Sequence, residues 1–420
     1  MLILAGLHVW KKYRNRRLLQ SVLLVVVVVF LVAFLVHISL KKKGPNSVKF
    51  GAKPVDEDLY LSSRSEYLAI VPGLLYNTQH SYSLTALDLF PLGDLLRAWN
   101  PDDVSSSMWE ASKAHPDKGH GVPRYDFSIS EERLISLKRR QLELPFIVYN
   151  IPSLERASER WTYTYLKNKF GTTKRAVERS TKGNHFMYFS HKKSKSSSTL
   201  RYKDWTPPQD LVDLSFTEFA ELASNAQRSK SDYAGDENLY YWIINAFEGG
   251  QTDWIRDDMS LFNANDNFFV VDSKEQSGIN CRFGMKHVIA EAHYDGGRNM
   301  VAMVQGRKRY ILLPPKACPD LFLLPKGHPS ARHSYLDWSN LTEISQHENF
   351  MAAEATEAVV ARGDVLYIPS FWFHYIVSQD ASIQCNTRSG NSLVGEDEIE
   401  NCALSQFKSS YRKEKQLGVV

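Results

Sequence analysis

The chain from about residue 280 onward consists of short apolar runs, and this texture limits the fold more than any other feature. Pro and Gly fall between several of the runs, which lack helical periodicity. Short strands without intervening helices are typical of antiparallel sandwiches and barrels. We therefore predict a mainly β fold with flanking helices. The runs are NMVAMV, KRYILL, AVVA, DVLYI, FHYIVS and SIQCN.

Helical periodicity occurs outside these runs in three segments. The segment 161–171 ends at Gly171, and Ser215–Glu218 forms a capping-box pattern at the start of 215–227. The segment 396–416 begins with acids and ends with bases, as the helix macrodipole prefers. This last helix either packs on the core or pairs two subunits as a homodimer, and packing is the favoured interpretation.

The N-terminal end predicts a membrane anchor. Residues 18–40 contain no Lys, Arg, Asp or Glu, and a transmembrane helix needs about 20 such residues. Basic clusters on both sides argue against a buried core helix, and the lack of an A-x-A site argues against a cleaved signal peptide. Five basic residues precede the span and three follow it. The positive-inside rule then predicts a type II membrane protein with a cytoplasmic tail at 1–17.

The distribution of charge and cysteine bears on partners and compartment. Residues 1–43 hold eight Lys and Arg and no acid, while the whole chain carries only +4, so the remainder is net acidic. A net acidic soluble part predicts no nucleic-acid binding. The predicted topology places that part in the lumen of the endoplasmic reticulum or Golgi. There the four cysteines allow one or two disulfides, with the pairing left open.

His293 and Asp295 are the first candidate metal ligands. A His followed two residues later by a carboxylate also occurs at His115 and Asp117, but Pro116 between them argues against a strand. Residues two apart in a strand point to the same face, so the side chains of His293 and Asp295 can converge on one ion.

His374 and Lys308 extend this candidate site. His374 follows GDVLYIP in a strand-like run, and alone it would be interpreted as a core histidine. Two His and one carboxylate together form the ligand set of non-haem Fe(II) oxygenases. Gln305–Gly306 predicts a hairpin, after which Lys308 either reaches solvent at a sheet edge or anchors a dicarboxylate co-substrate.

The series HYDGGRN, GRKRYILLPP, GDVLYIPSFWFHYI and CN resembles the JmjC-domain Fe(II)- and 2-oxoglutarate-dependent oxygenases. The resemblance is strongest to the hydroxylase branch typified by the asparaginyl hydroxylase of hypoxia-inducible factor. It covers residues 283–387, with weaker similarity back to about residue 145, and it implies a double-stranded β-helix (jelly roll, cupin-like) core. The predicted segments are a stem at 41–66, an extension of unknown role at 67–140, the oxygenase domain at 141–395, and a C-terminal helix and tail at 396–420.

The resemblance implies a role for each matching residue. His293, Asp295 and His374 would be the Fe(II) ligands, and Lys308 would pair with the far carboxylate of 2-oxoglutarate. Further residues of the co-substrate pocket would be Asn299, Asn386 and Tyr240, with Tyr241 as the alternative to Tyr240.

Two positions refine the functional prediction. Ala290 stands where the asparaginyl hydroxylase has a Thr that contacts the co-substrate, so one hydrogen bond is missing here. Asp295, rather than a Glu, is associated in this family with hydroxylation more than with lysine demethylation. The resemblance thus predicts hydroxylation of a protein side chain with O₂, giving succinate and CO₂. The alternatives are a glycan or small-molecule substrate, or a non-catalytic jelly-roll binding module.

Overall fold

The computed structural model describes residue 84 and residues 87–97, 121–180, 183–190, 205–228, 238–263 and 267–402. The predicted tail, span and stem at 1–66 lie outside these residues, and so does the pair His115 and Asp117. Within the described ranges, no helix is long and apolar enough to cross a membrane.

Two sheets and a set of short helices make up this part of the chain. The described strands are β1 (Phe90–Pro91), β2 (Arg124–Asp126), β3 (Phe146–Tyr149), β4 (Arg175–Ser180), β5 (His185–Phe186), β6 (Gln209–Leu214), β7 (Tyr240–Ala246), β8 (Ile279–Gly284), β9 (Ile289–Tyr294), β10 (Gly297–Gln305), β11 (Arg307–Leu313), β12 (Glu354–Ala361), β13 (Val365–Ile368), β14 (Phe373–Ser378) and β15 (Ser382–Asn391). The described helices are α1 (Leu92–Arg97), α2 (Ser130–Gln141), α3 (Pro152–Arg160), α4 (Tyr163–Phe170), α5 (Phe216–Arg228), α6 (Trp254–Asp258), α7 (Leu341–Ile344) and α8 (Glu348–Ala352).

The strands from β8 to β15 form the centre of both sheets. The six-stranded sheet has the order β1-β12-β11-β14-β9-β5, and the nine-stranded sheet has the order β2-β3-β13-β10-β15-β8-β7-β4-β6. All pairings among β8 to β15 are antiparallel. This confirms the prediction of a mainly β fold with flanking helices, and the strand order is that of a jelly roll.

Apolar side chains of the two sheets meet in one buried cluster. Val301 and Leu366 come from the nine-stranded sheet, and Tyr310, Val360 and Ile376 come from the six-stranded sheet. Because side chains alternate along each strand, the neighbours of these residues point away from the cluster. The cluster therefore identifies the inward face of each strand, which is the face that carries the candidate site.

Helices cover the outer face of the nine-stranded sheet. Trp242 of β7 and Phe283 of β8 lie opposite each other in register and contact Phe170 of α4 and Phe216 of α5. The structure confirms both of these helices. The Thr162 side chain caps the start of α4 and Gly171 ends it, and at α5 Glu218 accepts from the backbone N–H of Ser215, 2.7 Å away.

The turn at Gly306 connects the two sheets, so the predicted hairpin is wrong. β10 pairs with β13 and β15, whereas β11 pairs with β12 and β14. Turn residues show where the chain reverses but not which strand it then meets. Glycine is required here because φ is +72° and a Cβ would lie 2.4 Å from the Ala381 carbonyl oxygen.

The structure pairs all four cysteines. Cys281 and Cys385 are opposite residues of β8 and β15, and Cys318 is joined to Cys402. Residues 396–402 are helical, and Ile399 and Cys402 are buried in a cluster on the six-stranded sheet. The start of the C-terminal helix thus packs on the core, as the favoured interpretation predicted.

Part of the predicted extension at 67–140 belongs to the sheets. β1 pairs with β12, and β2 runs parallel to β3. The Arg124 guanidinium donates to the Asp364 carboxylate at 2.6 Å, and both side chains are buried. These described parts of the extension therefore add an edge strand to each sheet.

Candidate metal centre and anion pocket

His293 and His374 face each other on neighbouring strands. They are opposite residues of β9 and β14, and their Nε2 atoms are 3.1 Å apart. The strand register itself therefore brings together two imidazoles that are 81 residues apart in the sequence.

Backbone carbonyls hold both rings in the orientation that a metal needs. Nδ1 of His293 is 2.7 Å from the carbonyl oxygen of Glu291, and Nδ1 of His374 is 3.1 Å from that of Trp372. A carbonyl accepts only from an N–H, so the proton is on Nδ1 and the Nε2 lone pair is free. Burial lowers the pKa of both imidazoles, which keeps them in the neutral form that binds metals.

Asp295, which lies just after β9, completes a cluster of three candidate ligands. Its carboxylate and the two imidazoles offer ligand atoms within 4.8 Å of one another, the only such group among the described residues. Oδ2 accepts from Nε and Nη2 of Arg388 at 2.9 and 2.5 Å, and Oδ1 accepts from Arg332 at 3.2 Å. Burial raises the pKa of Asp295, but Arg388 and the other nearby cations outweigh it and hold the pKa far below its usual range.

The donor set fits a divalent first-row metal. Two neutral imidazoles and one ionised carboxylate form the facial arrangement of non-haem Fe(II) sites, and the carbonyl and guanidinium partners are the outer contacts that such ligands need. The structure thus brings together the three predicted ligands, whose role in binding iron stays a prediction.

A bulge in β9 decides which residues share the face of His293. The register shifts between His374/His293 and Ile376/Ala290, so Glu291 and Ala292 together lie opposite a single residue of β14. Ala290 therefore faces the interior beside Ile376, although simple alternation would put it on the other face from His293. The residue that replaces the family's Thr does lie on the pocket side.

Lys308 points into the interior, and its side chain is 1% exposed. It lies opposite Ser378 of β14, and its Nζ is 3.2 Å from the hydroxyl of Tyr241. This position rules out the solvent-edge interpretation. Burial and then the charge of Arg282 lower the pKa of Lys308 far below its usual range. Among the described residues no carboxylate pairs with this amine, so the interior favours an incoming anion.

Tyr241, and not Tyr240, is the tyrosine next to Lys308. Tyr241 lies opposite Gly284 and reaches inward, while Trp242, the next residue, belongs to the outer aromatic cluster. Alternation puts Tyr240 on the same outer side as Trp242. The tyrosine beside Lys308 is thus the alternative, Tyr241, and not Tyr240, and its contact with a co-substrate stays a prediction.

Asn299 and Asn386 lie in a chain of buried hydrogen bonds. Nδ2 of Asn386 donates to Oδ1 of Asn299 at 2.8 Å, and Nη1 of Arg282 donates to Oδ1 of Asn386 at 2.5 Å. The two predicted amides are thus brought together on the inward face of the nine-stranded sheet. Whether they contact a co-substrate stays a prediction.

Two residues of the site were missed in the sequence. Arg282 stands next to Phe283 in an apolar run. Alternation puts the two side chains on opposite faces, so Arg282 points inward once Phe283 is known to point outward. His333 stacks on His293 with ring centroids 4.8 Å apart. The sequence neighbours of His333 form no regular pattern, so no local signal predicted its position beside His293.

Comparison with known proteins agrees with this architecture. Residues 138–387 match the cupin-like domain family, and this match covers more than half of the chain. The lysine-specific demethylase JMJ31 of Arabidopsis thaliana is 30% identical over 118 residues, which are 28% of this chain and 21% of that protein. The human tRNA wybutosine-synthesizing protein 5 is 33% identical over 94 residues, which are 22% of this chain and 28% of that protein.

A longer match joins these two. The Arabidopsis lysine-specific demethylase JMJ30 is 26% identical over 182 residues, or 43% of this chain and 38% of that protein. The chain thus spans less than half of the length of each of these relatives.

Proposed function

The chain belongs to the cupin-like domain family, and we propose that it is an Fe(II)- and 2-oxoglutarate-dependent dioxygenase that hydroxylates a protein side chain. One observation carries the proposal. A cluster of two imidazoles and a carboxylate shares the inward face of one sheet with the buried amine of Lys308. The cluster fits Fe(II), and the amine fits the far carboxylate of the co-substrate.

The iron would be held by His293, Asp295 and His374. Bound Fe(II) supplies the oxidising chemistry, in which substrate, O₂ and 2-oxoglutarate give hydroxylated substrate, succinate and CO₂. The protein's own contribution is positional. Arg388 and Arg332 fix the Asp295 carboxylate, so it keeps its charge and orientation.

The interior around the site limits access of water. Tyr310 and Ile376, opposite residues of β11 and β14, are buried between Lys308 and His374. An apolar wall strengthens electrostatic contacts and protects a reactive centre from side reactions. Tyr241 would share the far carboxylate with Lys308, because its hydroxyl already lies 3.2 Å from the amine.

Hydroxylation is favoured over removal of methyl groups from lysine, although two relatives are named as lysine-specific demethylases. Arg332 and Arg388 flank the cluster, with side chains that are 37% and 30% exposed. A methylated lysine is a cation, and two guanidiniums beside one carboxylate leave a net positive charge that opposes its binding. A neutral or acidic side chain meets no such repulsion.

A lumenal address is proposed together with this activity. The apolar segment at 18–40 supports a signal-anchor. Both cysteine pairs are joined, and disulfides persist in oxidising compartments such as the endoplasmic reticulum. The acidic soluble part supports a protein partner rather than a nucleic acid.

Turnover of 2-oxoglutarate tests the proposed chemistry. The purified full chain with Fe(II) and ascorbate should convert 2-oxoglutarate into succinate, and His293→Ala should reduce this conversion at least about 100-fold. His328→Ala is a matched control, because His328 is also buried but is not one of the three clustered ligands. Equal succinate formation by His293→Ala and the wild type would contradict the proposal.

A further inference from the structure

We propose that Arg282 is a second cationic anchor for the co-substrate and shares its far carboxylate with Lys308. The inference rests on the proposed function, because it assigns a residue to the pocket that 2-oxoglutarate would occupy. It adds an interaction that neither the metal cluster nor Lys308 supplies.

The strand register places Arg282 across the interior from Lys308. Arg282 of β8 lies opposite Gln384 of β15, and Oε1 of Gln384 accepts from the hydroxyl of Tyr310 at 2.7 Å. Tyr310 is two residues from Lys308 on β11, so both point to the same face. One hydrogen-bonded pair therefore connects the position of Arg282 on one sheet with the strand of Lys308 on the other.

The position of the guanidinium is fixed in advance. Nη1 of Arg282 donates to Oδ1 of Asn386 at 2.5 Å, and Nδ2 of Asn386 donates in turn to Asn299. Neither Nε nor Nη2 of Arg282 donates to another described residue, so both can bind an anion. A guanidinium binds a carboxylate through charge-assisted hydrogen bonds that are stronger than those of a neutral donor.

Two basic groups that face one interior space oppose each other's charged forms unless an anion lies between them. Burial and then the charge of Arg282 lower the pKa of Lys308. Glu178 is the acid that faces Arg282, but burial raises the pKa of Glu178 to about 7, against the charge of Arg282 and a hydrogen bond from Gln209. A carboxyl whose neutral form is favoured by burial gives these two basic groups little compensating charge. The dianion 2-oxoglutarate would supply that charge.

Arg282 would also replace the hydrogen bond to the co-substrate that Ala290 cannot make. Ala290 faces the pocket from β9 but has no group to donate. A donor from β8 on the opposite sheet would take over this contact with a charged group. The departure at 290 and the arginine at 282 are then two parts of one altered pocket.

Binding of two oxo acids tests this assignment in the full chain. The dissociation constants of 2-oxoglutarate and of 2-oxopentanoate, which lacks the far carboxylate, are measured with Mn(II) in place of Fe(II). Arg282→Gln should weaken 2-oxoglutarate by about 10- to 100-fold, the range of a charge-assisted hydrogen bond, and 2-oxopentanoate by less than about twofold. Arg282→Lys should restore part of the affinity. Thermal unfolding of both variants, compared with the wild type, checks that the fold persists.

Arg179→Gln is the matched control, since Arg179 is on β4 of the same sheet and pairs with Asp210 at the surface. This variant should bind both acids like the wild type. If Arg282→Gln binds 2-oxoglutarate like the wild type, or loses affinity for both acids equally, the assignment of Arg282 is overturned. A wild-type chain that binds neither acid would instead overturn the proposed function.

Discussion

The two faces of β7 and β8 differ in polarity and in what they contact, although their residues alternate along the same two strands. Trp242 and Phe283 point outward and pack against the aromatic side chains of α4 and α5. Tyr241 and Arg282 point inward and carry hydroxyl and guanidinium groups into the pocket. One face thus holds helices on the sheet, while the other gathers polar groups that hydrogen-bond to one another.

Residues that stabilise the fold and residues that line the pocket therefore alternate along the same strands, although they are neighbours in the sequence. Apolar burial on the outer face stabilises the fold, whereas buried charge on the inner face costs stability unless an anion is bound. Substitutions on the two faces should therefore have opposite consequences for the free energy of unfolding and for co-substrate binding.

The largest expected effect is on the outer face. Phe283→Ala removes a ring that is 2% exposed and contacts Trp161, Phe170 and Phe216. It should lower the free energy of unfolding by about 3–5 kcal/mol in denaturant titrations. Leu211→Ala is the control, because Leu211 is 55% exposed and should cost less than about 0.5 kcal/mol. Similar costs for both variants would remove the distinction between the faces.

Lys308→Met tests the inner face and should act in the opposite sense. It removes a buried amine that no carboxylate among the described residues pairs with and whose charged form is disfavoured by burial. The free energy of unfolding should stay the same or rise by about 1 kcal/mol, while the affinity for 2-oxoglutarate falls about 100-fold, or about 2.7 kcal/mol. Calorimetric titration measures the affinity. A clearly destabilised variant with unchanged affinity would make Lys308 structural.

The smallest predicted effect depends on pH and on Glu178. Burial raises the pKa of Glu178 from 4.5 in the unfolded chain to about 7 in the folded one. The stability that this proton affinity contributes is complete below pH 4.5 and is lost as the pH rises to 7. Glu178→Gln keeps the group neutral, so its advantage over the wild type in the free energy of unfolding should grow as the pH rises through this window. Unfolding curves at several pH values measure it, and an advantage that does not change with pH would contradict the account.

The sequence predicted most of the site because alternation and turn signals act locally. His293 and Asp295 share a face by simple spacing, and the run that contains His374 is a strand as expected. The register that pairs the two histidines involves partners far apart in the chain. The local pattern of a strand does not determine which other strands it pairs with. The prediction of a hairpin at Gly306 was wrong for the same reason.

Three other features depended on interactions that no local pattern reveals. The choice between Tyr240 and Tyr241 depended on knowing that Trp242 of β7 points outward, because Tyr241 then points inward. The bulge that turns Ala290 inward inserts one residue without any Gly or Pro to mark it. The pairing of Cys281 with Cys385 follows from the neighbouring positions of β8 and β15, which only the assembled sheet defines.

The central claim is that His293, Asp295 and His374 form one iron site, and an anaerobic Fe(II) titration of the full chain tests it most directly. With 2-oxoglutarate present, the wild type should bind one Fe(II) per chain. His374→Ala should bind it at least about 100-fold more weakly, because losing a direct ligand should cost more than the roughly 10- to 100-fold loss from removing an outer contact. Binding that is absent in the wild type, or equally tight in His374→Ala, would contradict the account.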